Sequence, residues 1–388
     1  MVDRRLSGQR LPVHAKPQSD ELLSSWLMRL SLAHGVELRA FCAHLWPTLR
    51  VWGKDFDWRT DNDILITLAQ KTAVSLPRVF TTRLKDYEGQ LFEYFKPNSY
   101  APWLLVNSMQ DYRRRLPALQ YCPQCLGTDV QPYFRRHWRL GFITICATHR
   151  RRLRDRCPSC REPINFHCLP PDASTLAVCY QCRFDLRLAK TRALKDNLVH
   201  QRLVAFQAIL LEALATAGHY LPGHGLAPSY DYFRVLHQLT RVLITYRQAE
   251  YYRATLCRYF GLPDFQPRFL SPRRRAVEVL PINDRFQLMQ VLAGWLDGWP
   301  DQFVTVCMDN MVWDRVLLNR MLAPPSWYEQ TAQQVTWSSV LNRVFQQWEH
   351  EFPDWNPLRS VGQNELASSI QMPAPEISSP TRIPTQSQ

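Results

Sequence analysis

Apolar residues recur at helical spacing along most of this 388-residue chain. Leu22, Leu23, Trp26, Leu27 and Leu30 form one stripe behind Pro17 and Ser19. That predicts a helix with Ser19 as N-cap, Asp20 and Glu21 in the first turn where the helix dipole favours acids, and Gly35 as the stop. Ile64, Leu65, Leu68 and Ala69 make a second stripe, and Leu76, Val79, Phe80 and Leu84 a third. Ala73-Val74-Ser75 links them tightly, with Ser75 able to cap the following helix. The pair has the shape of a helix-turn-helix, which would put Arg78, Arg83 and Lys85 on the reading helix; a plain helical hairpin has the same pattern. Farther on, Leu203, Phe206, Leu210 and Leu214 share a face, as do Phe233, Leu236, Leu239, Val242 and Leu243. Phe286, Leu288, Val291, Leu292, Trp295 and Leu296 follow, then Val340, Val344, Phe345 and Trp348. The predicted class is mainly α.

The periodicity breaks in three places. Residues 96–118 are rich in proline and aromatics (Pro97, Tyr100, Pro102, Trp103, Pro117), as an irregular connection packed on a surface would be. Residues 122–182 hold little helical pattern, and from about 356 the chain fills with Ser, Pro, Thr and Gln, which reads as a disordered tail. The expected organisation is an N-terminal helical domain (1–115), a small zinc-ribbon-like region (116–188), a C-terminal helical domain (189–355) and the tail (356–388). No internal repeat is evident.

The middle region carries the chemistry. Cys122 and Cys125 are followed by Cys146 and His149; Cys157 and Cys160 are followed by Cys179 and Cys182. Each pair has two intervening residues, so both side chains can face one ion, and about twenty residues separate the halves, close to zinc-ribbon spacing. Disulfides or a redox pair are the alternatives for such motifs. Neither accounts for four knuckles in order, and His149 cannot join a disulfide. Residues 1–20 are polar and basic, without the apolar segment of a secretion signal, which suits reduced thiols in the cytoplasm. The expectation is two structural Zn²⁺ ions, since four thiolate or imidazole ligands leave no open position. Sequential pairing and a cross-braced arrangement both remain open; His137, His167 and Cys168 are spare candidates outside the expected sets.

Composition adds a polyanion partner. A hydrophobic content of 46% with 12% aromatics belongs to a folded chain, and no uninterrupted apolar run approaches membrane-spanning length. The net charge is +13 and the pI about 9.4. The charge is clustered, at Arg113, Arg114 and Arg115, at Arg135, Arg136 and Arg139, at Arg150, Arg151 and Arg152 with Arg154 and Arg156, and at Arg273-Arg274-Arg275. Guanidinium forks suit phosphate, so these clusters and the helix-turn-helix cations are candidate nucleic-acid contacts; an acidic protein surface is the competing partner. There is no phosphate-loop motif, H-E-x-x-H or G-x-S-x-G. Asp301, Asp309 and Asp314 read as capping or solvated acids rather than a metal-nuclease cluster, so no catalytic residue is expected.

Two stretches resemble a known family. Pro17-Gln-Ser-Asp-Glu21-Leu-Leu-Ser-Ser-Trp26-Leu-Met-Arg29-Leu with Ala33-His-Gly35 looks like the opening signature of TniQ proteins, the TniQ/TnsD group. Tyr121-Cys-Pro-Gln-Cys125-Leu, Arg136-His-Trp138-Arg-Leu, Cys146-Ala-Thr-His149 and Leu153-Arg-Asp-Arg-Cys157-Pro-Ser-Cys160 are similar to its zinc block. Leu292-Ala-Gly-Trp-Leu-Asp-Gly-Trp299-Pro-Asp-Gln-Phe303 looks like a less distinctive piece of its C-terminal region. The resemblance, spanning about residues 11–185, implies a non-catalytic target selector of Tn-seven-like transposons. Such proteins recruit the AAA+ regulator TnsC, which engages the transposase, after reading attachment-site DNA or docking on an RNA-guided effector such as Cascade. A stand-alone transcription regulator and an unrecognised nuclease or recombinase are the alternatives. No membrane partner is expected, and the oligomeric state, a homodimer included, stays open.

Overall fold

The computed structural model describes residues 10–48, 55–96, 101–105, 116–270 and 275–351, and these form a mainly helical structure. The predicted tail and Arg113, Arg114, Arg115, Arg273 and Arg274 lie outside the described residues.

Helix α1 (Leu23–Ala33) begins later than the sequence suggests. Ser19 does not cap it; Leu22 occupies that position without a side-chain bond. Asp20 takes a left-handed backbone with φ of +53°, and Glu21 pairs with Arg135 in an isolated bridge. The acids have stronger partners than a helix dipole. Glu21 accepts from Arg29 at 2.7 and 2.8 Å, from Ser25 Oγ at 2.9 Å and from the Gln18 N–H at 2.8 Å, all around a buried carboxylate. The N–H groups of Leu22 and Leu23 donate instead to the carbonyls of Phe134 and Thr82, each at 2.9 Å. Tertiary contacts thus satisfy donors that a cap would otherwise serve. The Leu22–Leu30 stripe is fully buried, and Gly35, with φ of +64°, follows the helix end.

Helices α2 (Leu38–Leu45), α3 (Phe56–Arg59), α4 (Asn62–Thr72) and α5 (Leu76–Phe80) complete the N-terminal part. Helices α4 and α5 pack together across Ala73, whose φ is +53°. The hairpin is there, but α5 has only five residues. Leu84, Arg83 and Lys85 fall beyond it, in or beside a 3₁₀ turn at Leu84–Tyr87. Ser75 stands at the N-cap without a capping bond. Pro77 sits at the N-terminus of α5, and Thr82 closes back onto the Val79 carbonyl, so the third apolar stripe is split between two short turns.

The Cys-rich region contributes α6 (Pro123–Thr128) and the antiparallel pair β1 (Ile145–Cys146) and β2 (Arg151–Arg152), with Ile145 opposite Arg152 and Cys146 opposite Arg151. The remainder is helical: α7 (Leu198–Thr216), a hairpin of β3 (Gly218–Leu221) and β4 (Gly225–Pro228), α8 (Ser229–Ile244), α9 (Ala249–Tyr259), α10 (Ile282–Trp295), α11 (Asp301–Asp309), α12 (Asp314–Leu317), α13 (Ser326–Ala332) and α14 (Trp337–Glu351). Helix α10 packs on α7, α8, α9 and α11. Gly294 lets it approach Phe260, because a Cβ there would lie 2.9 Å from that ring. Helix α7 is long and apolar enough to cross a membrane by length and composition. In this fold its Leu203, Phe206, Leu210 and Leu214 are buried, and Gln207 is bonded into the Cys-rich region, accepting from the N–H groups of Thr144 and Ile145 and donating to the Ile145 carbonyl at 2.9 Å. It is a core helix.

Buried arginines join the regions. Arg139 is 1% exposed and forms ion pairs with Asp55 and Asp57, while donating to the Leu105 carbonyl at 2.9 Å. Asp57 also accepts from the Ser24 N–H and hydroxyl, each at 2.8 Å, tying α1 to α3. Arg285 on α10 donates to Gln120 Oε1 and the carbonyls of Leu280 and Gly141, fastening the C-terminal helices to the Cys-rich region. Burial lowers its pKa to about 10, against the pull of Asp155, Glu278 and Asp284. One contiguous hydrophobic core runs through all three regions.

Removing one partner of a buried ion network leaves an uncompensated charge, typically costing about 3–5 kcal/mol. Arg139→Met is therefore expected to lower unfolding free energy by about that amount in urea titrations. Adding Asp55→Asn and Asp57→Asn should recover part of it. Asp57 adds a pH signature. Burial first, then neighbouring Asp55, outweigh Arg139 and raise its pKa from 3.8 to about 6. The folded state then holds a proton that the unfolded state has released, so this group's stabilisation is present below 3.8 and is lost as pH rises through 6. Asp57→Asn lacks that titration, so the stability of wild type minus that of the variant is expected to fall as pH rises from 3.8 through about 6.

Candidate metal centres and basic surface

Both sets of cysteine and histidine ligands converge. Cys122, Cys125, Cys146 and His149 form one group, and Cys157, Cys160, Cys179 and Cys182 another, with all ligand atoms of each within 4.8 Å of one another. The pairing is sequential. In the first group, Cys125 Sγ lies 3.6 Å from Cys146 Sγ and 3.3 Å from His149 Nδ1, which is 3.5 Å from Cys146 Sγ and 3.6 Å from Cys122 Sγ. In the second, Cys157 to Cys182 and Cys160 to Cys179 are both 3.6 Å. A tetrahedral zinc with Zn–S bonds of about 2.3 Å places its sulfurs ~3.7 Å apart, so the spacing fits the ion. All eleven cysteines are free of disulfides. The spare candidates His137, His167 and Cys168 belong to neither group; His137 is bonded to Asp20.

The local backbone explains how short motifs do this. Cys122 stands at the N-cap of α6, so the helix's first turn carries Cys125 back to the same side. In the second group the Arg161 N–H returns to the Cys157 carbonyl and the Arg183 N–H to the Cys179 carbonyl, each at 3.0 Å, closing two matching knuckles. Arg161 and Arg183 have φ of +62° and +61°, and Arg150, directly after His149, has +46°. Glycine or asparagine is the easier residue at such positions. The three arginines there are exposed, so their side chains point away from the metal groups into solvent.

The candidate phosphate contacts divide sharply. Arg139 is withdrawn from the surface; the Asp55 and Asp57 carboxylates bury it, which overturns its place among the nucleic-acid contacts. Arg135 grips Asp129 with both terminal nitrogens at 2.8 and 3.1 Å and lies 4.4 Å over the Tyr133 ring. Arg136 pairs with Asp86 at 2.8 Å and Asp20 at 3.3 Å, over the Tyr87 ring. Burial opposes ionisation of Asp20, yet His137 and then Arg136 hold its carboxyl below the ordinary range. Arg136 thus joins the Cys-rich region to the N-terminal part, while the Arg135 side chain is occupied within the Cys-rich region itself. Near α5, Arg78 donates to the Gln18 carbonyl at 2.9 Å, Arg83 to Asn62 Oδ1 at 2.9 Å, and Lys85 lies 4.6 Å over the Phe95 ring.

What faces outward is the β2 segment. Arg150 is exposed, and Arg151 and Arg152 are half-buried on a strand that also pairs with residues 192–194 through Arg152 N–H to Arg192 carbonyl (3.2 Å) and Leu194 N–H to Arg150 carbonyl (2.9 Å). That pairing brings in Lys190 and Arg192, which sequence reading passed over because they sit at the start of the expected C-terminal region without forming an arginine run. Burial, then the charges of Arg192 and Arg154, lower the pKa of Arg152, as crowded cations do.

Residues 12–153 match the family model for TniQ. The match includes the first metal group and ends before the second. No curated protein matches the chain.

If each group holds one ion, purified protein is expected to carry two equivalents of zinc by elemental analysis. Cys125→Ser and Cys179→Ser should each lose one equivalent and retain the other. Loss of both from either single variant would show that the two groups do not load independently.

Proposed function

We propose that this chain, which a TniQ domain over residues 12–153 marks as transposition-associated, is a non-catalytic targeting adaptor in DNA transposition. It links recognition of target DNA, whether by an RNA-guided effector such as Cascade or at an attachment site, to recruitment of the AAA+ regulator TnsC and the transposase. The working compartment is the bacterial cytoplasm. Two structural zinc ions hold the adaptor's centre. The observation that carries this reading is the pair of four-ligand groups with the exposed Arg150 and the half-buried Arg151 and Arg152 between them. Closed coordination supplies rigidity without an open site for chemistry. The arginines supply a polyanion-facing surface on the same small scaffold.

The α4–α5 hairpin gives less support to a stand-alone transcription regulator. With five residues, α5 rises only ~7.5 Å, which is little to lay along a major groove. Its Arg78 and the neighbouring Arg83 are already bonded within the fold.

Targeted insertion and co-purification with TnsC test the adaptor reading. Cys122→Ser combined with Cys157→Ser is expected to release zinc, unfold residues 122–182 and abolish both. Undiminished TnsC recruitment by protein shown to have lost its zinc would sink the proposal.

A further inference from the structure

Beyond the end of the TniQ match, the second metal group forms one wall of a basic trough. Its cavity of about 550 Å³ is lined by Arg152, Arg154, Arg156, Arg161, Lys190 and Arg192, with Ile282 and Asn283 of α10 on the far side. Across Arg152, Arg192 and Asn283 it continues into a second hollow of about 650 Å³ that adds Lys195 and His200. Asp155 is the one carboxylate lining the first cavity, and it accepts the Ile282 N–H at 3.0 Å. In the second hollow Asp284 is held by Arg268 at 3.0 Å.

The guanidinium bonds within the first cavity go mainly to neutral carbonyls: Arg154 to Lys190 at 2.6 Å and Arg156 to Arg161 at 3.2 Å. Such bonds fix the side chains without neutralising them. Four thiolates around a divalent ion would leave the adjoining metal group negative, which accounts for part of the surrounding positive charge. Six cations still outnumber that charge and Asp155 together. A trough with this excess, walled by guanidinium forks with only Leu153, Pro158 and Ile282 as apolar side chains in its first cavity, has the chemistry of a phosphate-backbone track.

We propose that this trough, between the Cys157–Cys182 group and the N-terminus of α10, binds the phosphate backbone of nucleic acid. The proposal rests on the targeting-adaptor reading for its biological setting, but not for its chemistry. Arg161, Lys190 and Arg192 are exposed and hold no metal, so their side chains are removable without touching the ligands.

Binding of the full-length, zinc-loaded protein to a fluorescent 30-base-pair duplex, measured by anisotropy over a series of salt concentrations, tests it. Each phosphate contact contributes about −0.9 to the slope of log affinity against log salt. The triple change Arg161→Ala, Lys190→Ala and Arg192→Ala should flatten the slope by about 2–3 and weaken binding at least tenfold at about 0.1 M salt. The matching variant with Arg161→Lys and Arg192→Lys should keep most of the slope. Inorganic phosphate should compete only as its ionic strength predicts. Unchanged slope and affinity in a triple variant that retains zinc and its melting temperature would overturn the proposal. So would competition by phosphate at low millimolar concentration, which would make this a free-anion site, or loss of TnsC binding alone, which would make it a face for an acidic protein. Failure of the adaptor reading looks different: duplex binding would still depend on the trough, while targeted insertion would proceed without the protein.

Discussion

Arg139 sets the constraint on which the arrangement of the structure depends. A guanidinium inside a hydrophobic core is tolerable only with charge and hydrogen bonds around it, and Asp55 and Asp57 at the start of α3 and the Leu105 carbonyl provide them from two separate segments. Asp57 in turn fixes the N-terminal turn of α1 through Ser24. One side chain from the Cys-rich region therefore orders the N-terminal helices against it. The neighbouring bolts follow the same logic: Arg136 reaches Asp20 and Asp86, Arg29 reaches Glu21, and Arg285 reaches back from α10. Metal groups can stiffen their own loops, but these arginines decide where the loops sit relative to the helices.

This division of labour changes how the basic composition is to be understood. A charge of +13 looks like a uniform invitation to nucleic acid. In the fold, the arginines of the Arg135–Arg139 cluster are consumed by carboxylates or a ring face, whereas those from Arg150 onward lie on strands and knuckles whose nearest partners are carbonyls. Cations paired with acids have little field left for a ligand. Cations held by neutral groups keep it.

Much of this was legible beforehand, for identifiable reasons. The ligand sets could be read because metal coordination imposes residue type and short-range spacing together, as at Cys157-Pro-Ser-Cys160. The buried stripes of α7, α8 and α10 could be read because burial has the period of the helix. Sequential pairing, left open by spacing alone, needed coordinates. The start of α1 was misjudged because Asp20 and Glu21 carry good N-terminal signals locally, yet their partners Arg136, His137 and Arg29 lie across the fold or further along the helix. Arg139 was misjudged for the same reason: nothing local distinguishes it from Arg150.

Long-range partnering also explains why the trough is invisible in one dimension. Its cations come from β2, the Cys157 knuckle and the 190–192 segment, brought together by a short backbone pairing. The far wall is a helix more than ninety residues away, seated by Asp155 on the Ile282 N–H. Asp155 is thus a structural acid placed at the trough's edge, where it caps the helix that closes the groove and leaves the guanidinium groups unneutralised. A carboxylate moved to face the arginines directly would stabilise the pocket and abolish its field. The fold places its acids where they seat elements and leaves its second arginine cluster without facing carboxylates, the distribution that the proposed phosphate contact requires.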